Sequence, residues 1–193
     1  MALGVGFDST LAAAQAGAAW ALRVLYDDLA PVVTGYLRLH GAGDPDDVAS
    51  ETFIGVFRNL HQFTGDEDAF RSWVFTIAHR RLLDERRRAV RRPPTRAIVD
   101  LEPRIEGGNV EDDALVGLGG QWVRDVLACL TDDQRDVLLL RVVADLSVDQ
   151  TAAAMDRRPG AVRALQHRAV KALRRHLAEN VPGLLEAGRG SPS

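Results

Sequence analysis

The chain has one cysteine, Cys129, in 193 residues. A single thiol excludes an internal disulfide, and no paired Cys and His spacing for zinc appears anywhere. Cys129 lies among Val126, Leu127 and Leu130 on a helical apolar pattern. That placement predicts a buried thiol rather than a reactive one. No apolar run is long enough to span a bilayer. The alanine-rich stretch Leu11–Leu25 has no basic region before it and runs into Arg23, Asp27 and Asp28, so it does not read as a secretory signal, and a cytoplasmic protein without membrane insertion is expected. Also missing are phosphate-binding glycine loops, the HExxH motif and Ser or Cys nucleophile contexts. The five histidines (His40, His61, His79, His167 and His176) are dispersed. The sequence therefore points away from an enzyme and calls for no metal and no cofactor. Strand signals are poor, because β-branched residues are scattered and alternation is rare. The expected fold class is all-α, with two small helical domains.

What is present is an uneven distribution of charge. The net charge is −3, which looks unsuited to a nucleic-acid binder. Yet Arg80–Arg96 carries eight arginines against Asp84 and Glu85, and Asp100–Asp113 carries six acids against Arg104. A further basic block follows near the C-terminus, so two basic regions flank an acidic middle that the average conceals.

The most informative run is Leu146–Leu177. Ser147 and Gln150 have capping-box spacing, Ala152, Ala153 and Met155 give a small apolar face, and Asp156–Gly160 makes a break. Pro159 suits the first turn of a second helix. On that helix Val162, Leu165, Ala169 and Leu173 form one stripe. Gly160, Arg163, Ala164, His167, Lys171 and Arg174 lie opposite, with Arg168 and Arg175 at the edge. No acid occurs between Arg157 and Leu177. A helix, a tight turn and a helix with an apolar back and a basic front has the form of a DNA-binding helix-turn-helix.

Upstream, residues 1–8 are expected to fray, and Ser9–Leu39 reads as two or three helices, with Pro31 at a helix start or a kink. His40 is expected at a solvated helix end. Asp44-Pro45-Asp46-Asp47 is a strong helix start, and the helix should run to about Leu60. Its buried face would hold Ala49, Phe53, Val56, Phe57 and Leu60; Ile54 stands exposed among Asp47, Glu51 and Arg58. His61–Asp68 reads as a loop in which Phe63 has little core to join. A helix follows from about Ala69, with Phe70, Trp73, Val74 and Ile77 as its stripe; after Ala78 arginine dominates, which suits polyanion contact. Thr95 to about Gly120 is rich in glycine and acids and reads as a linker. Thr131 and Gln134 form a second capping box. The tail from Val181 is expected to be mobile.

Three segments together resemble one family. Asp46-Asp47-Val48-Ala49-Ser50-Glu51-Thr52-Phe53 is similar to the D-D-x-x-Q-E-T-F run of a polymerase-binding helix. Phe70-Arg71-Ser72-Trp73-Val74-Phe75-Thr76-Ile77-Ala78-His79-Arg80, with Asp84 and Arg87, is similar to a promoter-melting segment. Gly160–Ala169 is similar to the G-T-V-R-S-R-L-H-R-A recognition helix. The order and spacing over Ser9–Ala178 resemble the extracytoplasmic-function (ECF) group of sigma-70 RNA polymerase sigma factors. Ser50 stands in place of glutamine and Arg80 in place of asparagine; Ala161, Ala164 and Leu165 depart from the recognition-helix pattern.

The resemblance implies a region 2 domain over 9–92, a linker over 93–117, a region 4 domain over 118–178 and a flexible tail over 179–193. It implies core RNA polymerase (the clamp of its largest subunit and the flap of the second-largest) and promoter DNA as partners, with an anti-sigma factor as a further partner. Asp47, Ser50, Glu51, Ile54 and Arg58 would meet polymerase. Phe63, Arg71, Trp73, His79, Arg80, Arg87 and Arg88 would serve the minus-ten region. Arg158, Gly160, Arg163, Ala164, His167, Arg168, Lys171 and Arg174 would serve the minus-thirty-five region. Two other readings fit parts of the chain. A stand-alone helix-turn-helix regulator accounts for Leu146–Leu177 but not for Phe63 or the first basic helix, and a scaffold without DNA contact would lack salt-dependent DNA affinity.

Overall fold

Gly17 closes the first helix of the chain. Its φ of +86° is a left-handed value. The Gly17 N–H donates to the Ala14 carbonyl and the Ala18 N–H to the Ala13 carbonyl, a Schellman stop. It ends helix α1 (Phe7–Gln15) and turns the chain into α2 (Ala19–Leu39). The computed structural model describes residues 4–91 and 122–180.

Along α2, Ala21, Leu25, Leu29, Val33 and Leu37 recur every fourth residue and are all buried. Pro31 lies inside this helix rather than at a start. A mid-helix proline costs on the order of 3 kcal/mol. The buried stripe runs unbroken on both sides of it and offsets that cost. Asp44 caps α3 (Pro45–Asn59), accepting from the Asp47 N–H at 2.9 Å with Pro45 in the first turn. A 3₁₀ turn (Leu60–Gln62) leads to Phe63, and Asp66 caps α4 (Glu67–Arg91) by accepting from the Ala69 N–H at 2.8 Å.

A helical turn over 122–127, here α5, opens the second unit. Thr131 and Gln134 complete a capping box at the head of α6 (Asp132–Val142); Ser147 and Gln150 do the same for α7 (Val148–Ala154). Asp156 takes a left-handed φ of +51° and turns the chain into α8 (Pro159–Asn180). Among the described residues every element is helical.

Helices α1 to α4 pack on one another, as do α6 to α8; α4 joins the two sets by lying against α7. The buried apolar residues form a core running from Phe7 to Ala169. A smaller cluster of Val137, Ala152 and Val162 holds the helix-turn-helix together.

Several expectations change. Residues 4–8 do not fray: Phe7 is buried and its ring meets Phe70 at 5.6 Å. Phe63 does have a core to join, between Phe70 and Trp73. His40 is buried, because Arg86 reaches over from α4 and donates to both its ring and its carbonyl. Cys129 is exposed, since the helix stops at 127 and the thiol falls in the following turn. The stripe on α4 does not fade after Ala78: His79 and Leu82 are buried. α2, α3 and α7 all cover α4. The linker and the tail from residue 181 lie outside the described residues, while Glu179 and Asn180, expected in the tail, belong to α8.

Candidate polymerase and nucleic-acid interfaces

Helix α3 buries Val48, Ala49, Thr52, Phe53 and Val56 and turns its other side outward. Asp47, Ser50, Ile54 and Arg58 are exposed there and Glu51 is half-buried. Ile54 is 51% exposed, which is unusual for a side chain of its size. The Ser50 hydroxyl donates back to the Asp46 carbonyl at 2.8 Å. Glu51 accepts from Arg81 at 3.3 Å. Tyr26 of α2 stands edge-on to Phe53 at 4.8 Å and is itself partly exposed. It adds an aromatic to this side of the molecule that no helical pattern singled out.

The turn between α3 and α4 presents Phe63 to solvent. Its ring stacks on Trp73 with centroids 5.1 Å apart and planes at 24°. Together with Asn59, Gln62, Thr64 and Ile77 the two rings line an open cleft of about 480 Å³. Aromatic faces beside amide and hydroxyl groups suit an unstacked nucleobase. Gly65, at φ +149°, passes under the Phe63 ring; a Cβ there would sit 2.9 Å from the Ala69 Cβ and 3.2 Å from the ring itself. Arg71 does not share this cleft. It lies 200° around the helix from Trp73, in a small cavity with Phe7, Asp28 and Glu67.

Arg80 and Arg87 are exposed farther along α4, and Arg87 pairs with Asp84 at 3.5 Å. Both line a cavity of about 610 Å³ between α4 and the second unit, whose opposite wall includes Asp133 and Arg157. Arg88 turns toward Asp44 and Asp47 at the head of α3.

His79 has a different setting. Its Nδ1 lies 2.9 Å from the Tyr36 hydroxyl, and its Nε2 faces Asp136 of α6 at 4.0 Å. Arg86 links the same carboxylate to His40, donating to Asp136 at 3.5 Å and to the His40 Nδ1 at 3.0 Å. Because the His40 Nδ1 accepts from Arg86, it has no proton to give Asp136, although the two lie 3.3 Å apart. Their closeness is not an ion pair, and the His40 Nε2 is buried without a partner. Burial, reinforced by Arg86, lowers His40 to about 2 and His79 to about 4; burial raises Asp136 to about 6. Both rings are therefore neutral at neutral pH.

On α8 the apolar side is anchored by Val162 and Ala169. Arg158, Gly160, Arg163, Ala164, His167, Arg168, Lys171 and Arg174 are all exposed. Among the described residues Arg163, Arg168, Lys171 and Arg174 have no ion-pair partner, whereas Arg157 is held by Asp133 at 3.1 Å. Leu165, at a position where the family pattern has arginine, is half-buried and packs on the small cluster below.

A helical bundle with an acid-headed helix and an aromatic cleft, packed against a helix-turn-helix with a basic front, has the form of a nucleic-acid-binding protein in two parts. The sequence profile of sigma-70 region 2 matches residues 25–92, and that of sigma-70 region 4 matches residues 120–173. The ECF RNA polymerase sigma factor BldN of Streptomyces coelicolor is 32% identical over 169 residues, covering 86% of this chain and 64% of that one. The ECF RNA polymerase sigma factor SigD of Mycobacterium tuberculosis is 32% identical over 184 residues, covering 89% of this chain and 84% of that one. In structure, CnrH, solved in complex with the cytosolic domain of CnrY, matches with a TM-score of 0.66 at 24% identity, covering 89% of this chain and 96% of that one, which is a likeness of fold. The chain belongs to the sigma-70 family of RNA polymerase sigma factors, in its ECF group.

Proposed function

We propose that residues 9–92 bind core polymerase and open the minus-ten element, and that residues 118–178 read the minus-thirty-five element. The observation that supports this reading is that one chain carries an aromatic cleft and, on a separate helix, an exposed basic face. The Phe63–Trp73 cleft suits a single unstacked base. The front of α8 suits a duplex groove, with Arg163, Arg168, Lys171 and Arg174 exposed and without ion-pair partners among the described residues. In the groove, Arg163 donates to a guanine edge and His167 lies one turn on, while Arg168, Lys171 and Arg174 meet phosphates, which position without specifying. Polymerase meets Asp47, Glu51, Ile54 and Arg58 on α3.

This reading asks something of the conformation described above. His79 cannot reach a phosphate while Asp136 covers it, so engagement of the minus-ten strand through His79 requires α6 to withdraw from α4. No helix among the described residues is long and apolar enough to cross a membrane, and the site of action is where polymerase works, in the cytoplasm.

Run-off transcription from a promoter library, with core polymerase alone and with the chain added, tests the function. New start sites with shared motifs at both upstream distances are expected. Duplex binding without any polymerase-dependent start would instead support the stand-alone regulator.

A further inference from the structure

The region 2 match begins at residue 25 and so leaves α1 outside it. Yet α1 makes a specific contact with the turn that carries Phe63. The side-chain amide of Gln15, the last residue of α1, donates to the Leu60 carbonyl at 3.0 Å and to the Phe63 carbonyl at 2.8 Å. One NH₂ group thus uses both of its hydrogens, on the two ends of the same short 3₁₀ turn. The Leu60 carbonyl also accepts from the Phe63 N–H at 3.0 Å, so the turn is closed on itself and then clamped from outside.

Gln15 is well placed to clamp, because its own position is fixed. The left-handed Gly17, two residues beyond it, stops α1. Phe7, two turns earlier, is buried against Phe70 at 5.6 Å, and Phe70 in turn meets the Phe63 ring edge-on at 5.3 Å. Helix α1 therefore holds Phe63 twice, by its backbone through Gln15 and by its ring through Phe7 and Phe70. The Phe63 ring held in this way lies at 24° to Trp73.

We propose that Gln15 is a positioning residue for base capture, and that α1 belongs functionally to the minus-ten site. The inference rests on the reading of the Phe63 cleft as the base-binding site. Gln15 touches no DNA; it sets the angle at which Phe63 meets the strand. Gln15→Ala removes both donors, and Gln15→Glu keeps the size but turns oxygen toward two carbonyl oxygens.

The test uses holoenzyme and single-stranded minus-ten oligonucleotides in which each position in turn lacks its base. Wild-type holoenzyme should lose about tenfold or more in affinity when the captured base is removed. In Gln15→Ala and Gln15→Glu holoenzymes that penalty should shrink to less than about threefold, with unchanged affinity for core polymerase and unchanged binding of the minus-thirty-five duplex. Gln15→Arg, which keeps donors of sufficient reach, should recover part of the penalty. If wild type shows no position at which removing the base matters, the base-capture reading fails and this inference with it. If wild type shows the penalty and the Gln15 variants show it undiminished, the positioning role alone fails. A uniform loss of affinity at all positions, together with weaker binding to core polymerase, would make Gln15 a general structural residue and overturn the proposal.

Discussion

Arg163 is exposed on the front of α8 and has no ion-pair partner among the described residues, so its guanidinium is available to a base edge. Arg163→Ala should cost about 1–3 kcal/mol at one or two upstream positions while polymerase binding persists; footprinting on single-base promoter variants checks it, and an unchanged footprint contradicts it. Glu51 pairs with Arg81 in a partly solvated setting, where such a bridge is worth about 0–1 kcal/mol. Glu51→Lys should therefore leave the fold intact and weaken holoenzyme assembly in a pull-down. Gly65 is the tightest backbone position near the cleft. Gly65→Ala should destabilise the chain by about 1–3 kcal/mol in denaturant titration. It should also blunt base-dependent binding, because the added methyl meets the Phe63 ring. How far the site could be read in advance follows the same division. Exposed cations on a helix with an obvious apolar back, such as Arg163 and Lys171, are legible from period alone. Arg71 was drawn to the minus-ten set by its place in a motif, but helical geometry turns it away from Trp73. Gln15 carries no signal at all, since its role depends on a turn 45 residues away.

At the level of elements, local chemistry decided the helix starts and tertiary packing decided the rest. Asp44, Thr131 and Ser147 each accept from the backbone N–H three residues on, as their spacing predicts. Thr131→Ala and Ser147→Ala should each lower stability by about 1 kcal/mol, and the Ser147 change should also weaken duplex binding, because Ala152 of α7 supports Val162 of α8 in one cluster with Val137 of α6. Equal loss of stability with wild-type duplex affinity would separate capping from recognition. The misread elements share one cause. Pro31 looks like a helix start or a kink, His40 like a solvated end and the latter half of α4 like a free basic helix, as long as each is considered alone. A neighbour covers each: α2 is held by the core along its whole length, Arg86 closes over His40, and α7 lies on α4. A single-helix pattern records one buried side, and α4 has more than one.

For the whole molecule, the three ionisable groups at the junction of the units predict an acid response. His40 and His79 have native pKa values lowered by burial to about 2 and about 4 from 6.5. The unfolded chain therefore binds protons below pH 6.5 that the native chain refuses, and stability falls as the pH drops through that range. Asp136 works the other way: raised to about 6 from 3.8, it makes the native chain take up a proton first. Between pH 6 and 4 two histidines outweigh one aspartate, so the urea midpoint should fall steadily from pH 7 to pH 5. Asp136→Asn should steepen that fall by removing the compensating uptake. A midpoint independent of pH would mean that the rings are solvated.

The same carboxylate bears on how this chain answers to ionic strength. Asp136 puts a tethered anion between His79 and Arg86, on the side of α4 that the proposed minus-ten strand would have to approach. A nucleic acid that takes that place sheds its own condensed cations but frees a carboxylate that gathers cations in turn. Each such exchange releases fewer free ions than a phosphate settling on bare cations. On the proposed reading the minus-ten side should consequently show a shallower dependence on salt than its arginine content suggests, and the minus-thirty-five side, whose Arg163, Arg168, Lys171 and Arg174 have no ion-pair partner among the described residues, the steeper one.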